Sequence, residues 1–223
     1  MRHGMGPRVN LPNSITMSRI FCVPLLIWML SRSFPLHSFY GEQEVLVSLL
    51  FILASITDGV DGYLARKRGQ ITTMGILLDP LADKLMVTGA YIALVEFNPG
   101  VVPAWIAVLV IGREFLVSGL RYIEASEGFT IEASELGKMK MVTQIVSVVA
   151  AVLAHAWDFW RFGWFILPVH LIAVMAIYFM ALVSVISAVD YFAAFWKKID
   201  HAAADHRRAS IVLSRKKNIS TAK

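Results

Sequence analysis

This sequence predicts an all-α, polytopic membrane protein with six transmembrane helices. Hydrophobic residues make up 57% of its 223 residues and charged residues only 17%, below the quarter that is typical of soluble domains. A soluble protein of this length would need more polar surface than such a composition supplies. The apolar residues are also gathered into long runs, each able to cross a bilayer core of about 30 Å.

Six apolar segments account for the predicted helices. The first resembles a signal peptide in position, but Arg19 interrupts its start and no A-x-A cleavage site follows it, so we expect it to be retained. The last run is long enough to tilt or to protrude from the membrane. The segments are 15–34, 43–65, 75–97, 101–122, 139–160 and 163–195.

Lysine and arginine residues orient the predicted spans. The joins near 35–42 and 98–102 contain neither residue, whereas the joins after the second and fourth spans and the segment 197–223 are basic. By the positive-inside rule, these basic joins and both termini face the cytoplasm. We therefore expect a transmembrane domain over 1–196 and a basic cytoplasmic tail over 197–223.

The remaining compositional features exclude other classes. A net charge of +5 would suggest nucleic-acid binding in a soluble protein. Here the basic residues lie between apolar spans and in the tail, which favours contact with an anionic membrane face and no nucleic-acid partner. The single cysteine, Cys22, cannot form an intramolecular disulfide, and the six histidines are scattered without the spacing of a zinc site.

Four aspartates lie at the cytoplasmic ends of the second and third spans. Asp58 and Asp61 are three residues apart and Asp79 and Asp83 are four apart, so each pair shares one face of its helix. Carboxylates near membrane depth are costly unless they are paired, hydrated or bound to metal. The nearby cations are too few to neutralise four acids, so the pattern indicates an all-oxygen pocket for Mg²⁺ or Mn²⁺.

Other interpretations of these residues stay open on physical grounds. Small residues in this stretch permit close helix packing in a membrane, or they leave room for a flat ligand against the backbone; they are Gly59, Gly62, Ala65 and Gly75. The acids themselves could belong to a divalent-metal transporter, although no ladder of acids continues toward the far side of the membrane. Structural salt bridges are the third interpretation, and the shortage of cations argues against it.

A family signature covers the same residues. The stretch from Asp58 to Asp83 fits D-x-x-D-G-x-x-A-R-(x8)-G-x-x-x-D-x-x-x-D at all eight fixed positions. This pattern resembles the signature of the CDP-alcohol phosphotransferase family. The segments 10–19, 111–121 and 137–144 resemble the bacterial members that make phosphatidylglycerophosphate, so the likeness extends over residues 10–195.

The resemblance implies a function as well as a fold. It implies an enzyme of the bacterial cytoplasmic membrane that transfers a phosphatidyl group from CDP-diacylglycerol to glycerol 3-phosphate and releases CMP. It also implies a homodimer, and a pair of Mg²⁺ or Mn²⁺ ions would offset the charge of the donor phosphates. The same chemistry with inositol phosphate, serine or a phospholipid as acceptor stays open, because the signature does not identify the alcohol.

The resemblance also assigns roles along the signature. Asp58, Asp61 and Asp79 are expected to coordinate metal. Asp83, the last acid, is expected to bind metal and to act as the general base that accepts the proton of the attacking hydroxyl. The residues expected to contact the cytidine nucleotide are Asn13, Thr16, Gly62, Ala65, Arg66 and Gly75. For Asn13, the N-cap of the first helix is an equally good interpretation.

A second group of cations is expected to bind the phosphate of the acceptor. Arg113, Arg121, Lys138 and Lys140 lie at or toward the cytoplasmic ends of the fourth and fifth spans. Arginine binds phosphate bidentately and lysine acts as a point charge, so such a cluster suits glycerol 3-phosphate better than inositol or serine. Topology signalling at the membrane face is the alternative. Arg113 is the strongest candidate because it lies inside an apolar run, and its neighbour Glu114 is not expected to face it.

Overall fold

The structure, a computed structural model, describes the backbone of residues 11–31, 34–35, 41–68, 73–127 and 135–221, and the side chains within 17–31, 34–35, 41–57, 78, 80–126, 139–161 and 163–199. This part of the chain confirms the predicted all-α class, with one β-hairpin as an addition. Its elements are α1 (Leu11–Met29), α2 (Glu42–Arg68), α3 (Thr73–Phe97), α4 (Ala104–Glu127), α5 (Glu135–Ala156), β1 (Phe159–Phe162), β2 (Phe165–Pro168) and α6 (Val169–Thr221).

The helices pack around one apolar core. Helix α1 packs against α2 and α3, α5 packs against α2, α3 and α6, and α4 packs against α3 and α6. Leu94, Val152 and Ile177 are fully buried at the centre of this bundle. Tyr91 is also fully buried, and its hydroxyl hydrogen-bonds to Ser147 Oγ at 2.9 Å, so the polar atom brought into the core by this large ring has a partner.

Side-chain amides connect helix ends at one end of the bundle. Gln43 Nε2 donates to the carbonyl oxygen of Met29 at 2.5 Å. Met29 is the last residue of α1, and carbonyls in the last turn of a helix have no hydrogen-bond donor within the helix, so Gln43 supplies one. Asn98 Nδ2 donates to the carbonyl oxygen of Ala151 at 3.0 Å. These bonds hold the end of α1 to the start of α2 and the end of α3 to α5.

Gly41 precedes α2 in a conformation that favours glycine. Its φ is 77°, and a Cβ at this position would lie 2.3 Å from Trp157 Cζ2. We expect Gly41→Ala to lower the free energy of unfolding by about 1–2 kcal/mol through the left-handed backbone alone, with a further loss from displacing the indole ring. Thermal unfolding in detergent micelles measures the effect. Gly100→Ala is the matched control, because its Cβ would meet nothing closer than 4.0 Å, and an equal loss in both variants would contradict the prediction.

The predicted boundary between the fifth and sixth spans was wrong. The spans 139–160 and 163–195 were expected to meet in a short loop, but α5 ends at Ala156 and α6 begins at Val169. An antiparallel hairpin occupies the intervening residues. The strands are rich in aromatic and branched side chains, which favour β structure, but they lie within a continuous apolar run whose periodicity does not separate strand from helix.

The hairpin turn follows from one glycine. Phe162 pairs with Phe165, which leaves Gly163 and Trp164 as a two-residue loop. Gly163 has a φ of 57°, and no described residue other than glycine has a positive φ. A positive φ at the first loop position alone is typical of a type II′ turn, which the strand twist favours in hairpins.

Two helices in the described part of the chain are long and apolar enough to cross a membrane, over Met139–Ala156 and Val169–Ile199. Large apolar side chains also remain exposed along the bundle, such as Leu182 and Val189 of α6 at 55% and 64% exposure. An apolar surface of this kind indicates contact with lipid or with another chain, which supports a membrane protein. The backbone of α6 continues as a helix through the basic segment as far as Thr221.

Candidate active site

A cavity of about 530 Å³ opens between α2, α3, α4 and α5. It lies toward the ends of α2 and α4 and the starts of α3 and α5, so it is at the opposite end of the bundle from the hairpin. Its volume falls in the range of small-molecule sites. The polar residues of its wall are Ser55 from α2, Asp83 and Lys84 from α3, Arg113, Glu114, Ser118, Arg121 and Tyr122 from α4, and Lys140 and Gln144 from α5.

The cavity brings together part of the predicted site. Asp83, the predicted base, shares the wall with three predicted acceptor-binding cations, Arg113, Arg121 and Lys140. These four residues belong to α3, α4 and α5, and they line one cavity at the same end of the helix bundle. The side chains of the other predicted site residues lie outside the described set: Asn13, Thr16, Asp58, Asp61, Gly62, Ala65, Arg66, Gly75, Asp79 and Lys138.

The predicted metal ligands are therefore described only in part. Among the described side chains, no group of three or more His, Cys, Asp or Glu residues is placed to hold a metal ion. Three of the four predicted ligands do not belong to that set, so the metal cluster stays a prediction. The backbone places Asp58 one turn after Ser55 on α2, and Ser55 lines the cavity, as Asp83 of α3 does.

Glu114 is the centre of a buried ion cluster. Its Oε1 contacts Lys140 Nζ and lies 3.6 Å from Arg113 Nη1, and the three side chains are only 9–12% exposed. The expectation that Glu114 does not face Arg113 was wrong, because two long side chains can meet even when their Cβ atoms diverge. Two cations share one acid here, so the cluster retains a positive charge that an anionic ligand in the cavity would offset.

Two donors in the cavity wall have no hydrogen-bond partner among the described residues. They are Arg113 Nε and Gln144 Nε2, and both atoms are buried. Buried polar atoms are nearly always satisfied in folded proteins, so these donors mark positions where a polar ligand would bind. Sequence reasoning gave Gln144 no role. The signal that could have found it is its spacing of four residues from Lys140, which puts both on one face of α5.

Comparisons with known proteins show the family of the chain. The family model for CDP-alcohol phosphatidyltransferase matches residues 9–196. The CDP-diacylglycerol–glycerol-3-phosphate 3-phosphatidyltransferase of Bacillus subtilis (strain 168) is 38% identical over 200 residues, which cover 85% of this chain and 97% of that protein. The protein of the same name from Rickettsia bellii (strain RML369-C) is 36% identical over 185 residues, covering 83% and 94%. The match to the family model spans most of the sequence, and the chain belongs to the CDP-alcohol phosphatidyltransferase family.

Proposed function

We propose that this protein transfers the phosphatidyl group of CDP-diacylglycerol to glycerol 3-phosphate, releasing CMP and forming phosphatidylglycerophosphate. The observation that carries the proposal is the cavity in which Asp83 lies with Arg113, Arg121 and Lys140. A carboxylate and three cations suit an acceptor that has both a reacting hydroxyl and a phosphate. The names of the similar proteins from Bacillus subtilis and Rickettsia bellii give the same donor and acceptor.

The residues of the cavity have two roles, which are acceptor binding and proton transfer. Arg113, Arg121 and Lys140 bind the acceptor phosphate, and this places the acceptor hydroxyl beside Asp83. The hydroxyl oxygen forms a new bond to the phosphorus of the donor while Asp83 accepts its proton. The bond between that phosphorus and the oxygen of CMP breaks, and CMP leaves with the electron pair.

Divalent metal fits the acidic part of the proposed site. Carboxylate oxygens are the ligands that Mg²⁺ and Mn²⁺ prefer, and the residues that would hold a pair of these ions are Asp58, Asp61, Asp79 and Asp83. When bound, the ions would offset the negative charge of the donor diphosphate. The nucleotide would lie against Asn13, Thr16, Gly62, Ala65, Arg66 and Gly75, and Lys138 would add to the acceptor cations.

The proposed setting is the bacterial cytoplasmic membrane. The six helices would each contribute one span, with both termini and the cavity toward the cytoplasm and residues 197–223 as a basic tail. The exposed apolar side chains and the two long apolar helices support a membrane setting. The acyl chains of the donor would stay in the bilayer while its head group enters the cavity, and two copies of the chain would form the dimer.

One assay tests the function. Purified protein with CDP-diacylglycerol and Mg²⁺ or Mn²⁺ is given glycerol 3-phosphate, inositol phosphate, serine or a phospholipid in separate reactions. We expect rapid CMP release and a new lipid with glycerol 3-phosphate, and loss of both when the metal is chelated. Faster CMP release with another acceptor would contradict the proposal. A metal transporter is disfavoured because the sequence has no ladder of acidic residues that continues from the four aspartates toward the far side of the membrane.

A further inference from the structure

Helix α6 presents a buried stripe whose chemistry changes along its length. The stripe advances by four and three residues in turn, which keeps its members on one face of a helix. Its first half is apolar and fills the core, whereas its second half is polar and reaches the level of the cavity. The buried members are Ala173, Ile177 and Met180, followed by Ser184 and Ser187, and the half-buried Tyr191 ends the stripe. None of the described cavity-lining residues belongs to α6, so the polar half requires another explanation.

Ser187 contacts one arginine of the cavity. Arg113 Nη2 donates to Ser187 Oγ at 2.5 Å, across the interface of α4 and α6. Ser187 is buried, and the side chain of Arg113 is only 9% exposed. A hydrogen bond to a charged group is stronger than one between neutral groups, so this contact fixes the guanidinium from the side of α6.

Tyr191 contacts the other arginine. The Cζ atom of Arg121 lies 5.7 Å from the centroid of the Tyr191 ring, within the range of a cation–π interaction. The hydroxyl of the same ring donates to Glu124 Oε1, and Glu124 is buried. Glu124 therefore restrains the ring and the ring restrains Arg121, which as an exposed side chain would otherwise sample many rotamers.

We propose that Ser187 and Tyr191 are positioning residues that hold Arg113 and Arg121 in place for the acceptor phosphate. The two are four residues apart on α6, so they share one face, and the arginines are two helical turns apart on α4. The inference rests on the proposed function, since the ligand is the phosphate of glycerol 3-phosphate. Neither residue is among the described residues that line the cavity, so both would act through the arginines. Arginine side chains that are already held in place lose less conformational freedom when the acceptor binds. The two contacts would therefore raise the affinity for the acceptor.

Three variants separate the two contacts. Ser187→Ala removes the hydrogen bond to Arg113, Tyr191→Leu removes the ring beneath Arg121, and Tyr191→Phe keeps the ring but removes its bond to Glu124. Two controls match them on the same helix. Ser184→Ala removes a buried hydroxyl that has no hydrogen bond among the described residues, and Tyr178→Leu removes an exposed ring at the opposite end of the bundle.

The expected result is a selective rise in the KM for glycerol 3-phosphate. Ser187→Ala should raise it about tenfold, and Tyr191→Leu should raise it by about three- to tenfold. Tyr191→Phe should have a smaller effect than Tyr191→Leu, because the ring stays in place. The KM for CDP-diacylglycerol and kcat should stay at the wild-type values in all three. The unfolding midpoint should fall by only a few degrees, because a buried charged group loses one hydrogen-bond partner, and the controls should not change.

The outcomes that overturn the inference differ from those that overturn the function. An unchanged acceptor KM in Ser187→Ala and Tyr191→Leu overturns the inference alone. A loss of kcat together with a large fall in the unfolding midpoint also overturns the inference, because loss of a contact that only stabilises the fold would have this result. A wild-type protein that releases no CMP with glycerol 3-phosphate overturns the proposed function, and the inference with it.

Discussion

Asp83→Asn is expected to remove most turnover while donor binding persists. A positioned general base contributes about 10²–10⁴-fold to a rate, and the amide of asparagine cannot accept the proton of the attacking hydroxyl, so kcat should fall by that factor. The substitution preserves the shape of the side chain in the cavity wall. CMP release in the reconstituted assay measures the change. Donor binding is measured separately, as the rise in thermal unfolding midpoint that CDP-diacylglycerol produces.

The matched control for this variant is Asp158→Asn. Asp158 is exposed and lies at the hairpin end of the bundle, so the same chemical change is made far from the cavity. We expect wild-type turnover from the control. Turnover near the wild-type rate in Asp83→Asn would exclude Asp83 as the base. Loss of the donor-induced rise in unfolding midpoint would show instead that Asp83 acts mainly as a metal ligand for the donor phosphates.

The positions of the helices were predicted well, because the apolar residues of this chain are gathered into long runs. Each predicted segment overlaps one observed helix, since runs of about 20 apolar residues are read directly from the chain. The hairpin at Phe159–Pro168 was missed because hydropathy does not distinguish a short apolar strand from part of a helix. The continuation of α6 through the basic segment was also missed, because this segment has no long apolar run. It is nevertheless rich in good helix formers such as alanine, lysine and arginine.

Four residues of the cavity wall could be singled out from the sequence, but their contacts could not. Asp83, Arg113 and Lys140 were singled out because a charge inside or beside an apolar run has to find a partner. Which partner each one takes depends on tertiary packing. Arg113 bonds to a residue 74 positions away, and the Tyr191–Glu124 bond spans 67 positions. No local spacing rule connects residues so far apart, so the role of α6 emerges only from the folded chain.

Glu114→Gln is expected to destabilise the fold by about 3–5 kcal/mol, because removing one member of a buried ion cluster leaves the others uncompensated. In the wild type, one acid is shared by Arg113 and Lys140, and all three side chains are nearly buried. The variant places two cations together with no acid between them. Denaturation in mixed micelles measures the loss. Glu96→Gln is the matched control, because Glu96 is exposed at the far end of α3, and we expect it to have wild-type stability.

A double variant separates the structural role of the cluster from its role in acceptor binding. Glu114→Gln combined with Lys140→Met removes one acid and one cation, so the cluster regains the net charge of the wild type. We expect the double variant to recover most of the lost stability, because the repulsion between two buried cations is gone. It should not recover the wild-type KM for glycerol 3-phosphate, because one of the cations that bind the phosphate is absent. Recovery of both would mean that Lys140 serves only to neutralise Glu114, and that the acceptor phosphate depends on the two arginines alone.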